Sequence, residues 1–92
     1  MEFPDDATLV ARGKFSTLMK ERKAQIQRVQ DICRTIQANA PLILSDCQRK
    51  PPEDSRSMEE IIKCLENLKV AREKIITLSH GLIELEPEAW PK

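Results

Sequence analysis

The chain is poor in aromatic residues and in glycine. Its 92 residues include no tyrosine, one tryptophan, two phenylalanines and two glycines. The core must therefore be aliphatic, and the length suits a single domain over residues 1–92. β-Branched residues never alternate with polar ones over any length, as they do in a strand with one buried face. We expect an all-α fold.

Three further absences argue against whole classes of function. The 15 basic and 15 acidic residues cancel, whereas a dedicated nucleic-acid binder needs a basic surplus. Apolar runs such as Leu42-Ile43-Leu44 are far shorter than the roughly 20 residues that span a bilayer, so no membrane span is expected. The acidic start, Met1–Asp6, lacks the basic leader of a signal peptide. We therefore expect a soluble intracellular protein, in the cytoplasm or nucleus.

Residues that carry chemistry are few and scattered. Cys33, Cys47 and Cys64 fall on or beside apolar stripes, and an odd number of cysteines without secretory context predicts reduced thiols in the core. No CxxC, HxxH or ExxH spacing is present for a metal ion. The one histidine, His80, is too little for nucleophilic catalysis, which needs a base, a nucleophile and an orienting group. We expect no enzyme, no metal site and no cofactor.

Apolar residues recur at helical spacing in the first half of the chain. The stripe, with intervals of four and three, comprises Phe15, Met19, Arg22, Ile26, Val29, Cys33, Ile36 and Ala40. This heptad pattern predicts a helix over about 6–39 with coiled-coil-like packing. Leu18 and Ile32 flank the stripe and widen it. Arg22, its polar member, either extends its charged end past the stripe or fixes the register of the helices.

The ends of this first helix are set by an acidic cap and a proline. Asp5 or Asp6 is the predicted N-cap. Pro41 allows two interpretations, a kinked continuation to about residue 49 or a break followed by a short helix over about 41–49. We favour the break, because proline disfavours a helical conformation at the residue before it.

The rest of the chain predicts a turn and a second long helix. Residues 50–56 contain two prolines and a polar cluster, which cannot continue a helix. Ser57 and Glu60 form a capping box that starts a helix over about 57–86. Its stripe comprises Ile61, Leu65, Leu68, Ala71, Ile75, Leu78, Leu82 and Leu85, and a second apolar row comprises Ile62, Ile76 and Ile83.

The short turn makes the long helices antiparallel. With the turn centred near Pro52, residues whose numbers total about 105 lie side by side. This register places Glu84 and Glu86 beside Lys20, Arg22 and Lys23. The expected architecture is an antiparallel helical hairpin or a short three-helix bundle.

One partner helix can cover a single apolar row, so the second apolar row of the last helix remains exposed in a hairpin. We therefore expect a non-catalytic protein-interaction module, a helical adaptor or a subunit of a larger assembly, that binds a protein partner or self-associates. Residues 87–92 form a tail whose tryptophan either folds back or anchors a partner. The candidate partner-binding residues are Leu18, Ile32, Ile62, Ile76, Ile83 and Trp90.

An alternative function is electrostatic. The basic face of the first helix could bind an anionic membrane surface or nucleic acid through Lys14, Lys20, Arg22, Lys23 and Arg28. Salt distinguishes the two hypotheses, because binding to phosphates weakens steeply with added salt whereas helix packing changes little.

Overall fold

Two long helices joined by one turn make up the structure. The computed structural model describes residues 5–91, with α1 over Asp6–Cys47 and α2 over Arg56–Ala89. The helices pack antiparallel against each other, and no strand occurs within residues 5–91. The hairpin measures 75 × 18 × 16 Å, and its radius of gyration is 20.9 Å, against about 12 Å for a globular chain of this length. The all-α hairpin is confirmed, and it is a rod.

The start of α1 follows the sequence prediction. The Asp5 side chain accepts a hydrogen bond from the backbone N–H of Thr8 at 2.7 Å, and the Asp5 carbonyl accepts one from the N–H of Leu9 at 3.0 Å. Asp5 is therefore the N-cap, and its carboxylate satisfies one of the N–H groups that a helix start leaves unpaired. The hydrogen bonds from Thr8 hold the pKa of Asp5 below its usual value.

The expected break at Pro41 is wrong, because α1 continues through it to Cys47. Residues 41–49 therefore form no separate short helix, and the described part of the chain holds two helices rather than three. Pro41 and Gln37 are both exposed, so the Gln37 carbonyl that loses its bond to residue 41 can reach water. The seam residues on the two sides of the proline, Asn39 and Ile43, are both half-buried, as expected if α1 packs on α2 beyond the proline as well as before it.

The turn is organised by the side chain of Asp46 at the end of α1. Its Oδ1 atom accepts hydrogen bonds from the backbone N–H groups of Glu53 and Asp54, each at 2.9 Å. These two bonds lower the pKa of Asp46, with a smaller contribution from the charge of Arg49. The Lys50–Pro51 peptide bond is cis. One carboxylate thus binds the end of α1 to the residues that lead into α2.

The capping box predicted for α2 is wrong, since Ser57 is buried inside the helix. Asp54 takes the capping role instead. Its Oδ1 atom accepts from the N–H of Arg56 at 2.8 Å, and its Oδ2 atom accepts from the Ser57 hydroxyl at 3.3 Å. Ser55 already has helical dihedral angles, φ −90° and ψ −12°, so Asp54 occupies the position where an acidic cap accepts from the next turn.

α2 also extends further than expected. It ends at Ala89 rather than before Pro87, which lies inside the last turn. Ala89 is fully buried, and its carbonyl accepts a hydrogen bond from Arg12 Nε at 2.8 Å. The N–H of Trp90 donates to the Glu86 carbonyl at 2.9 Å. These contacts stabilise the last turn and outweigh the N–H that proline lacks.

The residues that are least exposed form one seam between the helices. The seam positions recur at alternating intervals of four and three on both helices. On α1 they are Ala11, Phe15, Leu18, Arg22, Gln25, Val29, Ile32, Ile36, Asn39, Ile43 and Asp46, and on α2 they are Ser57, Ile61, Cys64, Leu68, Ala71, Ile75, Leu78, Leu82, Leu85 and Ala89. Most of the fully buried members are small, namely Ala11, Ser57, Cys64, Ala71 and Ala89.

The seam corrects the predicted stripes by one position at several places. Leu18 and Ile32, expected at the flank, occupy the seam, whereas Met19 is half exposed. On α2, Cys64 is buried and its neighbour Leu65 is 53% exposed. Adjacent apolar residues compete for one seam position, and the partner helix decides which of them is buried.

Two polar contacts fix the register. Arg12 lies beside Ala89, and Arg22 Nε donates to the Ser79 hydroxyl at 3.0 Å. Both pairs of residue numbers total 101 rather than the expected 105, so the register differs from the prediction by about one helical turn. Arg22 therefore has the register-fixing contact that was the alternative to a solvent-directed side chain. The predicted clusters of Glu84 and Glu86 with Lys20, Arg22 and Lys23 are not formed.

We expect the two glycines to respond differently to alanine. A Cβ atom on Gly13 would have nothing within 4 Å, whereas one on Gly81 would lie 3.3 Å from Cδ1 of Leu18. Gly13→Ala should raise the free energy of unfolding by about 0.5–1 kcal/mol, because alanine favours the helix. Gly81→Ala should give a smaller gain. Urea denaturation at one protein concentration measures the free energy of unfolding of both variants. Equal gains would contradict the close approach of Leu18 to residue 81.

The turn should make stability depend on pH. Asp46 has a lowered pKa in the folded chain, so its hydrogen bonds stabilise the fold above the unfolded pKa of about 3.9 and are lost as the pH falls through the folded pKa. At neutral pH we expect wild type to be most stable, Asp46→Asn less stable and Asp46→Ala least stable. Thermal unfolding followed by circular dichroism should show the difference between wild type and Asp46→Asn shrinking in acid. A constant difference would contradict the role of the charge.

Candidate protein-interaction face

Each helix carries a second stripe, made of the residues that directly follow the seam residues. One step along a helix rotates the side chain by about 100°. Because the helices are antiparallel and their seams face each other, this rotation turns both second stripes toward the same side of the hairpin. Cys47 of α1 and Met58 of α2, one from each second stripe, line one shared hollow beside the turn.

The second stripes are largely apolar and exposed, and we call their apolar residues the apolar face. Ile83 is 67% exposed, and Leu65 and Ile62 are each about half exposed. The apolar face comprises Met58, Ile62, Leu65, Ile76, Ile83 and Trp90 of α2 with Met19, Ile26, Cys33 and Leu44 of α1. The apolar face extends from the turn to the open end of the hairpin, where α1 begins and α2 ends.

The opposite side of the hairpin, which we call the polar face, is charged. One hollow on it is lined by Lys14, Glu84 and Glu88 around the two glycines, and another by Glu21, Lys74 and Thr77. Val10, Leu42 and Val70 are exposed there as separate apolar residues. The two sides therefore differ in chemistry although the same two helices form them.

Three charged residues of α2 interrupt the apolar face. Lys69 and Arg72 lie near the middle of α2 and Glu86 lies beside Trp90, and all three are exposed. None of them forms an ion pair within residues 5–91, where the single pair is Arg34 with Asp31 at 3.3 Å on α1. Their charges are therefore available to another molecule.

The structure brings four of the six sequence-predicted partner-binding residues together. Ile62, Ile76, Ile83 and Trp90 all lie on the apolar face at intervals that are multiples of seven. Leu18 and Ile32 are not part of it, because they occupy the seam and are half-buried against α2.

Sequence reasoning missed several residues of the apolar face. Met58 and Leu65 belong to the same stripe as Ile62, and Leu44 lies across the hairpin on α1. The spacing of 58, 62 and 65 by four and three is itself a heptad signal. The missed residues could have been found by taking the residue that directly follows each seam position in the sequence.

The basic residues of the alternative hypothesis do not lie on one face. Arg22 is in the seam, and Lys14 lies on the polar face. Lys20, Lys23 and Arg28 are exposed at different angles around α1. Neither helix within residues 5–91 has a stretch long and apolar enough to cross a membrane.

The cysteines differ in environment. Cys64 is buried, as expected for a core thiol, whereas Cys33 is partly exposed and Cys47 is exposed, so the core prediction is wrong for Cys47. All three are free. No group of three or more histidine, cysteine or acidic residues in the described range is arranged to hold a metal ion.

Comparison with known proteins found no match among protein-family models, curated proteins or solved structures.

The open end of the hairpin holds a small aromatic cluster. The rings of Phe15 and Trp90 meet edge to face, with centroids 4.8 Å apart and planes at 86°. The guanidinium of Arg12 lies 5.7 Å from the Trp90 ring centroid and also binds the Ala89 carbonyl. Trp90 therefore folds back onto α1 on one side while about half of its surface remains exposed. It belongs both to the fold and to the apolar face.

We expect Phe15→Leu to loosen this cluster without disrupting the hairpin. The variant removes the aromatic pair, which is worth about 0.5–1.5 kcal/mol. Because Trp90 is the one tryptophan of the chain, its fluorescence should shift to longer wavelength as the ring becomes more exposed. Met19→Leu, a half-exposed site on the same helix, is the control and should leave emission and stability nearly unchanged. Identical spectra for Phe15→Leu and wild type would contradict the packing of Trp90 on α1.

Proposed function

We propose that this chain is a non-catalytic protein-interaction module that docks through its apolar face. The observation that carries the proposal is the exposed apolar face, which runs along one side of the hairpin with a few charged and polar interruptions while the other side is charged. Soluble monomers rarely expose contiguous apolar patches larger than a few hundred Å². A partner that covers this face would remove its side chains from water, which is the dominant favourable term in association.

The exposed area supports the same proposal. The accessible surface is 7441 Å², whereas a folded monomer of this mass exposes about 5,500 Å². The difference, about 1,900 Å², exceeds the roughly 800 Å² that each partner contributes to an interface of standard size. The apolar face offers side chains for that burial, in keeping with an adaptor or a subunit of a larger assembly.

Helix packing is the mode of docking that the face fits. Its residues on α2 follow the same intervals of four and three as the seam, which favours knobs-into-holes packing both within the hairpin and against a partner. A partner that adds a helix would complete the three-helix or four-helix bundle that the chain does not form alone. Such a bundle buries both apolar rows of α2.

Two observations support a non-catalytic role inside the cell. His80 is exposed, and 16 positions along α2, about 24 Å, separate it from the buried Cys64. This distance keeps the imidazole away from the thiol that it would have to activate. Three free thiols are typical of a reducing compartment.

The experiment places a photo-cross-linking residue at Ile83 of the full chain in native cells. We expect a discrete cross-linked product. Ile76→Glu should reduce its yield at least about tenfold, because a charge in the middle of a packed interface costs more than 1.4 kcal/mol.

The matched control is Val70→Glu. Val70 is on the same helix and 47% exposed, against 39% for Ile76, but it lies on the polar face. It should leave the product unchanged, and both variants should keep wild-type helicity by circular dichroism. Equal effects of the two variants, or unfolding of Ile76→Glu, would contradict a docking face. Loss of the product in moderate salt with both variants harmless would favour the electrostatic alternative.

A further inference from the structure

We propose that a second copy of this chain occupies the apolar face, with the α2 helices of the two copies stacked antiparallel about a two-fold axis near Ser79. The inference rests on the proposed function and names the partner. It is carried by three properties of α2, namely where its apolar residues lie, where its unpaired charges lie, and how much area the stack covers.

Two rods of this kind can stack face to face with two-fold symmetry in two ways. A two-fold axis along the rod places α2 of one copy on α1 of the other. A two-fold axis across the rod places α2 on α2 and α1 on α1. The outer row of α1, opposite which α2 would lie in the first arrangement, is polar over most of its length and comprises Ser16, Lys23, Gln30 and Gln37, with Leu44 as its apolar member near the turn. The first arrangement would lay the apolar outer row of α2 on these polar groups, which have no partner there. The second lays polar row on polar row and apolar row on apolar row, so it is favoured.

The charges of α2 select the register of this stack. In an antiparallel pair, residues whose numbers have the same total lie opposite each other. A total of 158 places Arg72 of each copy opposite Glu86 of the other, so both unpaired charges find a partner. In the register centred on the middle of α2, Arg72 would instead lie opposite Arg72, which is repulsive.

The same register matches other residues of the apolar face. It places Ile76 beside Ile83 of the second copy and Lys69 beside Trp90, whose ring attracts a cation. On α1 it places Met19 beside Ile26. On α2 this register therefore pairs apolar residues with each other and Arg72 with Glu86. On α1 it brings Lys23 of each copy near the axis, where the long side chain extends into water.

Ser79 is suited to the two-fold axis. It is small, and its hydroxyl already donates to the Ile75 carbonyl at 2.6 Å and accepts from Arg22 at 3.0 Å. Its polar group therefore keeps its hydrogen bonds when a second copy excludes water. Close approach of the α2 helices at this level needs no rearrangement of the seam.

The area covered is that of a small dimer. The overlap runs over residues 69–90 of α2, about 33 Å of helix, on a rod 18 Å wide. Each copy then contributes about 600 Å², a total near the lower end of the range for specific interfaces. The dimer is accordingly reversible and depends on concentration. Met58, Ile62 and Leu65 lie beyond the overlap.

The test is sedimentation equilibrium of the purified full chain over an about hundredfold concentration range, combined with charge reversal. The wild-type mass should rise from 10.6 kDa to twice that value. Arg72→Glu and Glu86→Arg should each raise the dimer dissociation constant at least about tenfold, because each creates two like-charged contacts. The variant with both reversals should return to within about threefold of wild type, since the pairs are restored.

Rescue by the double variant can arise only between chains. Arg72 and Glu86 are 14 positions apart on one helix, about 21 Å, so they cannot pair within a copy. Lys74→Glu on the polar face is the control and should leave the mass unchanged. A monomer at every concentration, unaffected dimers in both single variants, or a double variant that stays weak would overturn the inference. A monomer that still gives the cross-linked product in cells would overturn it while leaving the proposed function intact, with a different protein on the face.

Discussion

Two helices that pack along one line can bury only one stripe on each, and the rest of this structure follows from that constraint. The seam takes one residue in every three or four, and its fully buried members are mostly small, such as Ala71 and Ala89. Small side chains let the helix axes approach closely, but they remove little apolar surface from water. Nearly half of the larger apolar residues of α2 are consequently left on a second stripe that the hairpin cannot cover.

Polar contacts hold the register of the seam. Arg22 reaches Ser79, Arg12 reaches the Ala89 carbonyl, and Asp46 binds two N–H groups of the turn. These contacts lie near the middle and at the two ends of the rod, where they oppose sliding of one helix along the other. An aliphatic seam with period seven would tolerate a shift by one heptad, whereas a hydrogen bond to a specific partner does not.

Sequence reasoning predicted the helices, their antiparallel pairing and an N-cap at Asp5 or Asp6, because each depends on residues close together in the chain. It failed where contacts between residues distant in the chain determine which side chain is buried or where a helix begins and ends. Leu18 and Met19, or Cys64 and Leu65, differ by one helical step, and only the position of the other helix determines which one is buried. Pro41 reads locally as a break, but seam contacts on both sides of it outweigh one lost hydrogen bond. Likewise Ser57 is a good cap by pattern, yet Asp54 accepts the N–H of Arg56 and the hydroxyl of Ser57.

The apolar face was predicted only in part, because one part depends on α2 alone and another on how the two helices pack. Ile62, Ile76 and Ile83 form a row that is visible in the sequence, and their placement on one side of α2 needs only helical geometry. The extent of the apolar face could not be predicted, because α1 contributes to it only once the seam is known. A face that both helices build exists only in the folded hairpin, so a partner that covers it binds the folded chain and not the unfolded one. By mass action such binding stabilises the fold. In the proposed function, folding and assembly of this chain are therefore linked through the apolar face.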